Sequence, residues 1–136
     1  MEKKILTYYN EYKQFVEETN LPEITLLNAN NLNTRKTLAY TKAEFLRMPI
    51  VPIYYTDKLF SYPEQFYKSI LFHEFTHIYD AHIFFKEKEF NDFILLMRTF
   101  SEYHAAQIEL ASSLWVFLPL SLSTFGVESC FTAMEC

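Results

Sequence analysis

Residues 73–80 read HEFTHIYD and place two histidines on either side of a glutamate, in a chain of 136 residues that contains only four histidines. On a helix each residue advances about 100°, so His73 and His77 lie one turn apart on the same face and Glu74 is turned aside. Two imidazoles so placed can bind one metal ion, with the carboxylate beside a water molecule on that ion. The segment therefore predicts a zinc centre with His73 and His77 as ligands and Glu74 as general base.

Asp80 returns to the same helix face, about 20° from His73. We expect it to accept the outer N–H of a ligand histidine and so to fix the tautomer, although it could also bind the metal itself. The competing interpretation is a core helix that carries two buried histidines without a metal. Each buried imidazole would then need its own hydrogen-bond partner, whereas one metal ion satisfies both.

A catalytic zinc needs a third protein ligand and an open position for water. The candidates are Asp80, Glu102, His104 and Glu109, three of which lie in the segment SEYHAAQIE at residues 101–109. Small residues, Ala105 and Ala106, fall near the helix face of Glu102 and would let the two helices approach closely. His104 points about 160° away from Glu102, which favours a surface or partner-facing imidazole, and Glu109 lies about 10 Å further along the axis. We therefore predict Glu102 as the third ligand.

The elements that must position these residues follow from the hydrophobic pattern. Apolar residues at three- and four-residue steps predict an opening helix over residues 2–19. Three short segments rich in β-branched and aromatic residues then predict strands at 24–29, 36–41 and 50–55, and Pro52 favours an edge position for the third. Helices are expected from residue 63 or 64 to about 88, and from residue 90 or 91 to 117. This order predicts one α+β domain over residues 1–136, with its core motifs at about 50–118 and a tail at 119–136.

The amino-acid composition argues against several classes of function. Half of the residues are apolar, 18% are aromatic and only one is glycine, which favours a folded core and argues against phosphate-binding glycine loops. The net charge of −5 argues against a nucleic-acid partner, because a phosphate-binding surface needs an excess of Lys and Arg. The two cysteines, Cys130 and Cys136, are typical of a reducing cytoplasm rather than of a disulfide scaffold.

One segment bears on membrane contact. Residues 110–127 carry no charged side chain and approach the length of a membrane-spanning helix. Several serines and Pro119 weaken insertion and break the helix, so we expect a buried helix end followed by a tail that covers the core. The first residues also lack the continuous apolar run of a secretory signal.

The motif HEFTH, followed by a glutamate in a later helix, resembles the gluzincin type of zincin metallopeptidases. HEFTHIYD followed by SEYHAAQ is similar to the motifs of the mitochondrial ATP-synthase-processing metallopeptidase family and of the compact ImmA/IrrE-type peptidases. The resemblance covers about residues 50–110. It implies a minimal zincin-like domain in which His73, His77 and Glu102 bind zinc and Glu74 acts as general base.

The expected reaction is hydrolysis of a peptide or protein substrate. Zinc lowers the pKa of its bound water towards ~7, and Glu74 takes the proton and passes it to the leaving amine. The strand at 50–55 is expected to bind extended peptide along its free edge. Candidate donors to the oxyanion are Tyr79, Tyr103 and His104.

Two alternatives to an enzyme remain. The first is a zincin-like binding or regulatory module, for instance from a phage or mobile element, which captures a protein without relevant peptidase activity. The intact Glu74 argues against it, since a non-catalytic site has no use for that carboxylate. The second is a structural zinc domain, but such sites are usually closed and rich in cysteine.

Overall fold

The computed structural model describes residues 1–30 and 38–115, and this part of the chain has the predicted α+β architecture. The α-helices are α1 (Glu2–Phe15), α2 (Glu64–Ile83), α3 (Phe90–Arg98) and α4 (Phe100–Trp115). The strands are β1 (Glu23–Asn28), β2 (Ala39–Tyr40) and β3 (Ile50–Tyr55), and short 3₁₀ helices cover Ala43–Phe45 and Asp57–Ser61. The predicted tail at 119–136 lies outside the described residues.

The three strands form one sheet in the order β1-β3-β2, with β1 parallel and β2 antiparallel to β3. The prediction that β3 is an edge strand was therefore wrong. The amide of Thr56 donates to the carbonyl of Leu38 at 3.0 Å, so the even-numbered amides next to it in β3 also point towards β2. Among the described residues β2 pairs with Tyr54 and Tyr55 alone. The missing N–H of Pro52 thus faces the stretch beyond the end of β2, where it breaks no ladder bond.

Two helices are shorter than predicted, each for a local reason. Helix α1 ends at Phe15 because Glu17 adopts the left-handed conformation, with φ of 55°, which a continuing helix does not allow. Helix α2 ends at Ile83, where the amides of Phe84 and Phe85 both donate to the carbonyl of Asp80.

The long helix predicted from residue 90 or 91 to residue 117 is two helices in the structure. Thr99 separates α3 from α4 with a non-helical backbone, at φ −117° and ψ −81°. The break lets α4 start in a new direction, so that it packs along α2 instead of continuing the axis of α3. The end predicted at residue 117 lies outside the described residues, which end at Trp115.

Helix α2 is the centre of the fold, because α1, β2 and α4 all pack against it. Tyr12 of α1 is fully buried and lies edge-on against Phe72 and Phe75 of α2, with ring centroids 5.3 and 5.6 Å away. Val51 and Ile53 of β3 are also fully buried in the same core. Each such side chain contributes about 2 kcal/mol by its burial, which holds α2 rigidly in place.

In the part of the chain that the structure describes, no helix combines the length and apolar character needed to cross a bilayer. The uncharged segment at 110–127 lies mostly outside the described residues.

Candidate metal centre

The two motif histidines lie side by side on α2. The rings of His73 and His77 are 5.0 Å apart between centroids and are inclined by 78°. One potential ligand atom each from His73, Glu74 and His77 lies within 4.8 Å of the others. This grouping follows from the four-residue spacing on one helix face, as the sequence predicted.

Helix α4 runs antiparallel to α2 and brings Glu102 to both imidazoles. Its Oε1 lies 3.0 Å from Nε2 of His77 and its Oε2 lies 3.6 Å from Nε2 of His73. Ala105 is fully buried and permits the close approach of the helices, as expected, but Ala106 is exposed and has no such part. The structure therefore brings together the three predicted ligands.

The ligand atoms at the site, imidazole nitrogens and a carboxylate oxygen, are kinds that zinc accepts. Zinc takes imidazole nitrogens and carboxylate oxygens at about 2.0–2.2 Å, which separates neighbouring ligand atoms in a tetrahedron by roughly 3.3–3.6 Å. The Nε2 atoms of His77 and His73 lie 3.0 and 3.6 Å from Oε1 and Oε2 of Glu102 respectively. Two imidazoles and one carboxylate also match the ligands of catalytic zinc in known peptidases, which leave the fourth position for water.

The Nδ1 atoms of both imidazoles have partners of their own, and each Nε2 faces Glu102. Nδ1 of His73 lies 2.8 Å from Oε2 of Glu109, and Nδ1 of His77 lies 2.8 Å from Oγ of Ser101. A carboxylate can only accept, so His73 donates its Nδ1–H to Glu109. Ser101 donates its own hydrogen to Oδ2 of Asp80 at 2.8 Å, so its oxygen accepts from His77. Both histidines thereby carry a proton on Nδ1, so Nε2 is the ring nitrogen that would bind a metal.

Asp80 does not contact a ligand histidine directly, contrary to the expectation. It is fully buried, accepts from Ser101 on one oxygen, and accepts from Nδ1 of His104 at 2.6 Å on the other. Asp80 therefore influences the tautomer of His77 only through Ser101, which lies between them. The helix wheel had placed Asp80 on the correct face but could not show that the serine of α4 lies between the two groups.

His104 is buried, so the expectation of a surface imidazole was wrong. Its ring lies among those of Tyr79, Phe84 and Phe100, with centroid distances of 6.2, 6.3 and 6.0 Å. His104 belongs to the buried side of α4 together with Ser101, Ala105 and Ile108, and the Asp80 carboxylate satisfies its imidazole there.

The carboxylate of Glu74 is bound by Thr41, the residue that follows β2. Its Oε2 accepts from both the backbone N–H and the hydroxyl of Thr41, at 3.0 and 3.1 Å, directly after β2. Burial raises the pKa of Glu74, and the charges of His77 and His73 and the bonds from Thr41 offset part of that rise. A carboxyl group whose pKa moves towards neutrality is a better proton acceptor at neutral pH.

The contact between His77 and Glu102 shifts the pKa of both groups in the metal-free chain. Burial alone would lower the pKa of His77, but the hydrogen bond that its Nε2–H donates to Glu102 and the charges of Glu74, Glu102 and Asp80 raise it. The same hydrogen bond lowers the pKa of Glu102 against the opposing effect of its partial burial. The site thus stabilises a positive charge beside Glu102, which is the field that a cation needs.

The site is open on the side of α4. The side chain of Glu102 is 56% exposed, whereas that of His77 is 6% exposed and Glu74 is buried. The candidate oxyanion donors differ in their surroundings. Tyr103 is 64% exposed and its hydroxyl accepts from Gln107, while Tyr79 packs against Phe84 and His104.

Sequence reasoning missed the roles of three residues that touch the centre: Thr41, Ser101 and Glu109. The sequence offers Glu109 only as a candidate metal ligand, although its two-turn distance from Glu102 is what places it beside His73. Ser101 directly precedes the predicted ligand in the chain, which could have drawn attention to it. For Thr41 the sequence holds no signal, because its contact with Glu74 spans 33 residues.

Comparisons of this chain with known protein families, with curated proteins and with solved structures found no match.

Proposed function

We propose that this protein is a zinc-dependent metallopeptidase whose metal is held by His73, His77 and Glu102. The observation that carries the proposal is the convergence of both Nε2 atoms on the carboxylate of Glu102, with Glu74 beside them. Both rings turn Nε2 towards one half-exposed carboxylate, an arrangement that two histidines buried without a metal would not require.

Bound there, zinc would supply Lewis acidity, which makes water a nucleophile near neutral pH and polarises the peptide carbonyl. Glu74 takes the proton of the attacking water and transfers it to the leaving amine. Thr41 keeps the carboxylate of Glu74 in one orientation through two hydrogen bonds. Glu109 and Ser101 keep the two imidazoles in the orientation and tautomer that metal binding requires.

The strand next to Glu74 is β2, so we assign the substrate side of the site to β2 rather than to β3, which lies between the other two strands. Thr41 directly follows β2, and its N–H points away from β3 towards Glu74. Residues 40–42 are partly exposed and provide the extended backbone nearest to the general base. We assign the contact with an extended peptide to this segment.

The remaining attributes follow from the sequence. A peptide or protein is the substrate, nucleic acid is not a partner because the net charge is −5, and the cytoplasm is the compartment that the two late cysteines favour. Tyr79, Tyr103 and His104 stay candidates for the oxyanion donor. Among them Tyr103 has the most exposed side chain.

The decisive experiment compares wild type with Glu74→Gln after both are loaded with zinc. A diverse peptide library is incubated with each protein and cleavage is read by mass spectrometry. Glu74→Gln should retain zinc, because Glu74 is not one of the assigned ligands, and should lose about 10²–10⁴ of the hydrolysis rate. Glu44→Gln, at an exposed position in the 3₁₀ helix Ala43–Phe45, is the matched control and should cleave as wild type does.

The binding-module alternative makes the opposite prediction in the same experiment. If zinc-loaded wild type cleaves no peptide, and wild type and Glu74→Gln capture the same partner protein equally well, the peptidase proposal is wrong. Cleavage by Glu74→Gln at the wild-type rate would instead remove Glu74 from the role of general base.

A further inference from the structure

The two imidazoles of the centre are supported in different ways. Glu109 contacts His73 directly at 2.8 Å and its side chain is 36% exposed. His77 is supported by Ser101, which is fully buried and passes the contact on to the fully buried Asp80. One support therefore lies at the surface and adds little to the core, whereas the other is part of the core.

We infer that Glu109 is a positioning residue that makes His73 a metal ligand, and that Ser101 has the same role for His77. The inference rests on the proposed zinc centre, and it assigns to both residues a function that the motif does not contain. A negatively charged acceptor on Nδ1 fixes the ring rotation and increases the basicity of Nε2. Loss of such a partner typically lowers metal affinity by 10–100-fold.

The exposed position of Glu109 separates positioning from folding. Replacing it with leucine removes the acceptor from His73 without opening a cavity, because the residue is not part of the core cluster. Glutamine at the same position keeps a neutral acceptor within reach of Nδ1. Zinc affinity should therefore decrease from Glu to Gln to Leu at position 109, and the metal-free fold should stay unchanged.

Metal affinity is measured by competition with a chelator for zinc, and the melting temperature is measured with and without metal. Glu109→Leu should bind zinc 10–100-fold more weakly than wild type, and Glu109→Gln should lie between them. The metal-free melting temperatures of all three should agree within a few degrees, because a partly exposed ion pair contributes little to stability. Glu44→Leu, an exposed glutamate in the 3₁₀ helix, is the matched control and should keep the wild-type affinity.

Proton NMR of the zinc-loaded protein gives a readout that a structural role would not change. The Nδ1 proton of His73, protected by the bond to Glu109, should give a downfield signal in wild type. Glu109→Leu should lose that signal selectively and keep the one from His77. Ser101→Ala should do the reverse, and it should also destabilise the metal-free chain because Asp80 then loses a donor.

The outcomes distinguish this inference from the proposed function. If wild type binds zinc and Glu109→Leu binds it as tightly as Glu44→Leu does, the positioning role is wrong and the zinc centre stands. If wild type binds no zinc in excess metal while folded, both the inference and the proposed function fail. A lower metal-free melting temperature of Glu109→Leu with unchanged affinity would show a purely structural role and would also overturn the inference.

Discussion

Thr41 donates two hydrogen bonds to the same oxygen of Glu74, one from its backbone and one from its hydroxyl, at 3.0 and 3.1 Å. The contact links the end of β2 to the middle of α2 beside the candidate centre. A carboxylate that accepts two bonds on one oxygen is fixed in rotation, so its other oxygen has a defined direction. The sheet therefore takes part in the chemistry by orienting the proposed general base.

Replacing Thr41 with valine tests this orientation, because valine keeps the shape and the backbone N–H but removes the hydroxyl. We expect kcat for peptide hydrolysis to fall roughly tenfold, while KM and zinc content stay near the wild-type values. Thr41→Ser restores the hydroxyl and should recover most of kcat. Steady-state kinetics on one cleaved peptide measure kcat and KM separately, and a change confined to KM would contradict the orienting role.

Features that depend on local periodicity were predictable from the sequence. The four-residue spacing of His73 and His77 places their rings together on any helix, and the structure has them 5.0 Å apart. Glu102 could be chosen over its neighbours because a small residue, Ala105, marks the face of α4 that packs on α2. The existence and type of most elements followed in the same way from the hydrophobic pattern.

Features that depend on tertiary contact were not predictable. Thr41 meets Glu74 across 33 residues of sequence, and Ser101 meets His77 across 24, so neither pair lies in one periodic segment. The central position of β3 was missed because strand order is decided by how segments pack. Pro52 excludes only the ladder positions next to its missing N–H, and these lie beyond the two residues of β2.

Metal binding itself gives a prediction about the histidines. Purified wild type should hold close to one zinc per chain, and His77→Ala should lose it because a ligand is removed. His82→Ala is the control, since His82 bonds the carbonyl of Leu46 at 2.8 Å and belongs to no part of the centre. Metal analysis by mass spectrometry measures both, and equal zinc contents for the two variants would argue against the assigned ligands.

Asp80 should affect both stability and metal binding. It is fully buried and accepts a hydrogen bond from Ser101 on one oxygen and from His104 on the other. In Asp80→Asn the new NH2 group would therefore face either the Ser101 hydroxyl or the His104 N–H, and a hydrogen bond would be lost. We expect the metal-free chain to lose about 3 kcal/mol in its free energy of unfolding. Zinc affinity should also fall about tenfold, because the support of His77 through Ser101 weakens. Urea unfolding and chelator competition measure the two effects, and unchanged stability would contradict the buried network.

The packing of α4 on α2 gives a prediction with an internal control. Ile108 is 1% exposed in the core and Leu110 is 60% exposed on the same helix. Ile108→Ala leaves a cavity and should cost about 3 kcal/mol in the free energy of unfolding. Leu110→Ala should change it by less than about 0.5 kcal/mol. Comparable losses in urea unfolding would mean that α4 is rotated from the orientation that carries Glu102 to the histidines.

The two carboxylates of α4 should differ in their effect on zinc because one is assigned to the metal and the other to a histidine. Glu102 faces both Nε2 atoms, whereas Glu109 contacts Nδ1 of His73. Glu102→Gln removes a charged ligand and should lower zinc affinity by more than 100-fold, whereas Glu109→Gln keeps an acceptor and should lower it by about tenfold. Cobalt substitution provides the second measurement, since the visible spectrum reports the ligand set. It should change in Glu102→Gln and keep its shape in Glu109→Gln. An equal loss of affinity, or a changed spectrum in Glu109→Gln alone, would exchange the roles of the two residues.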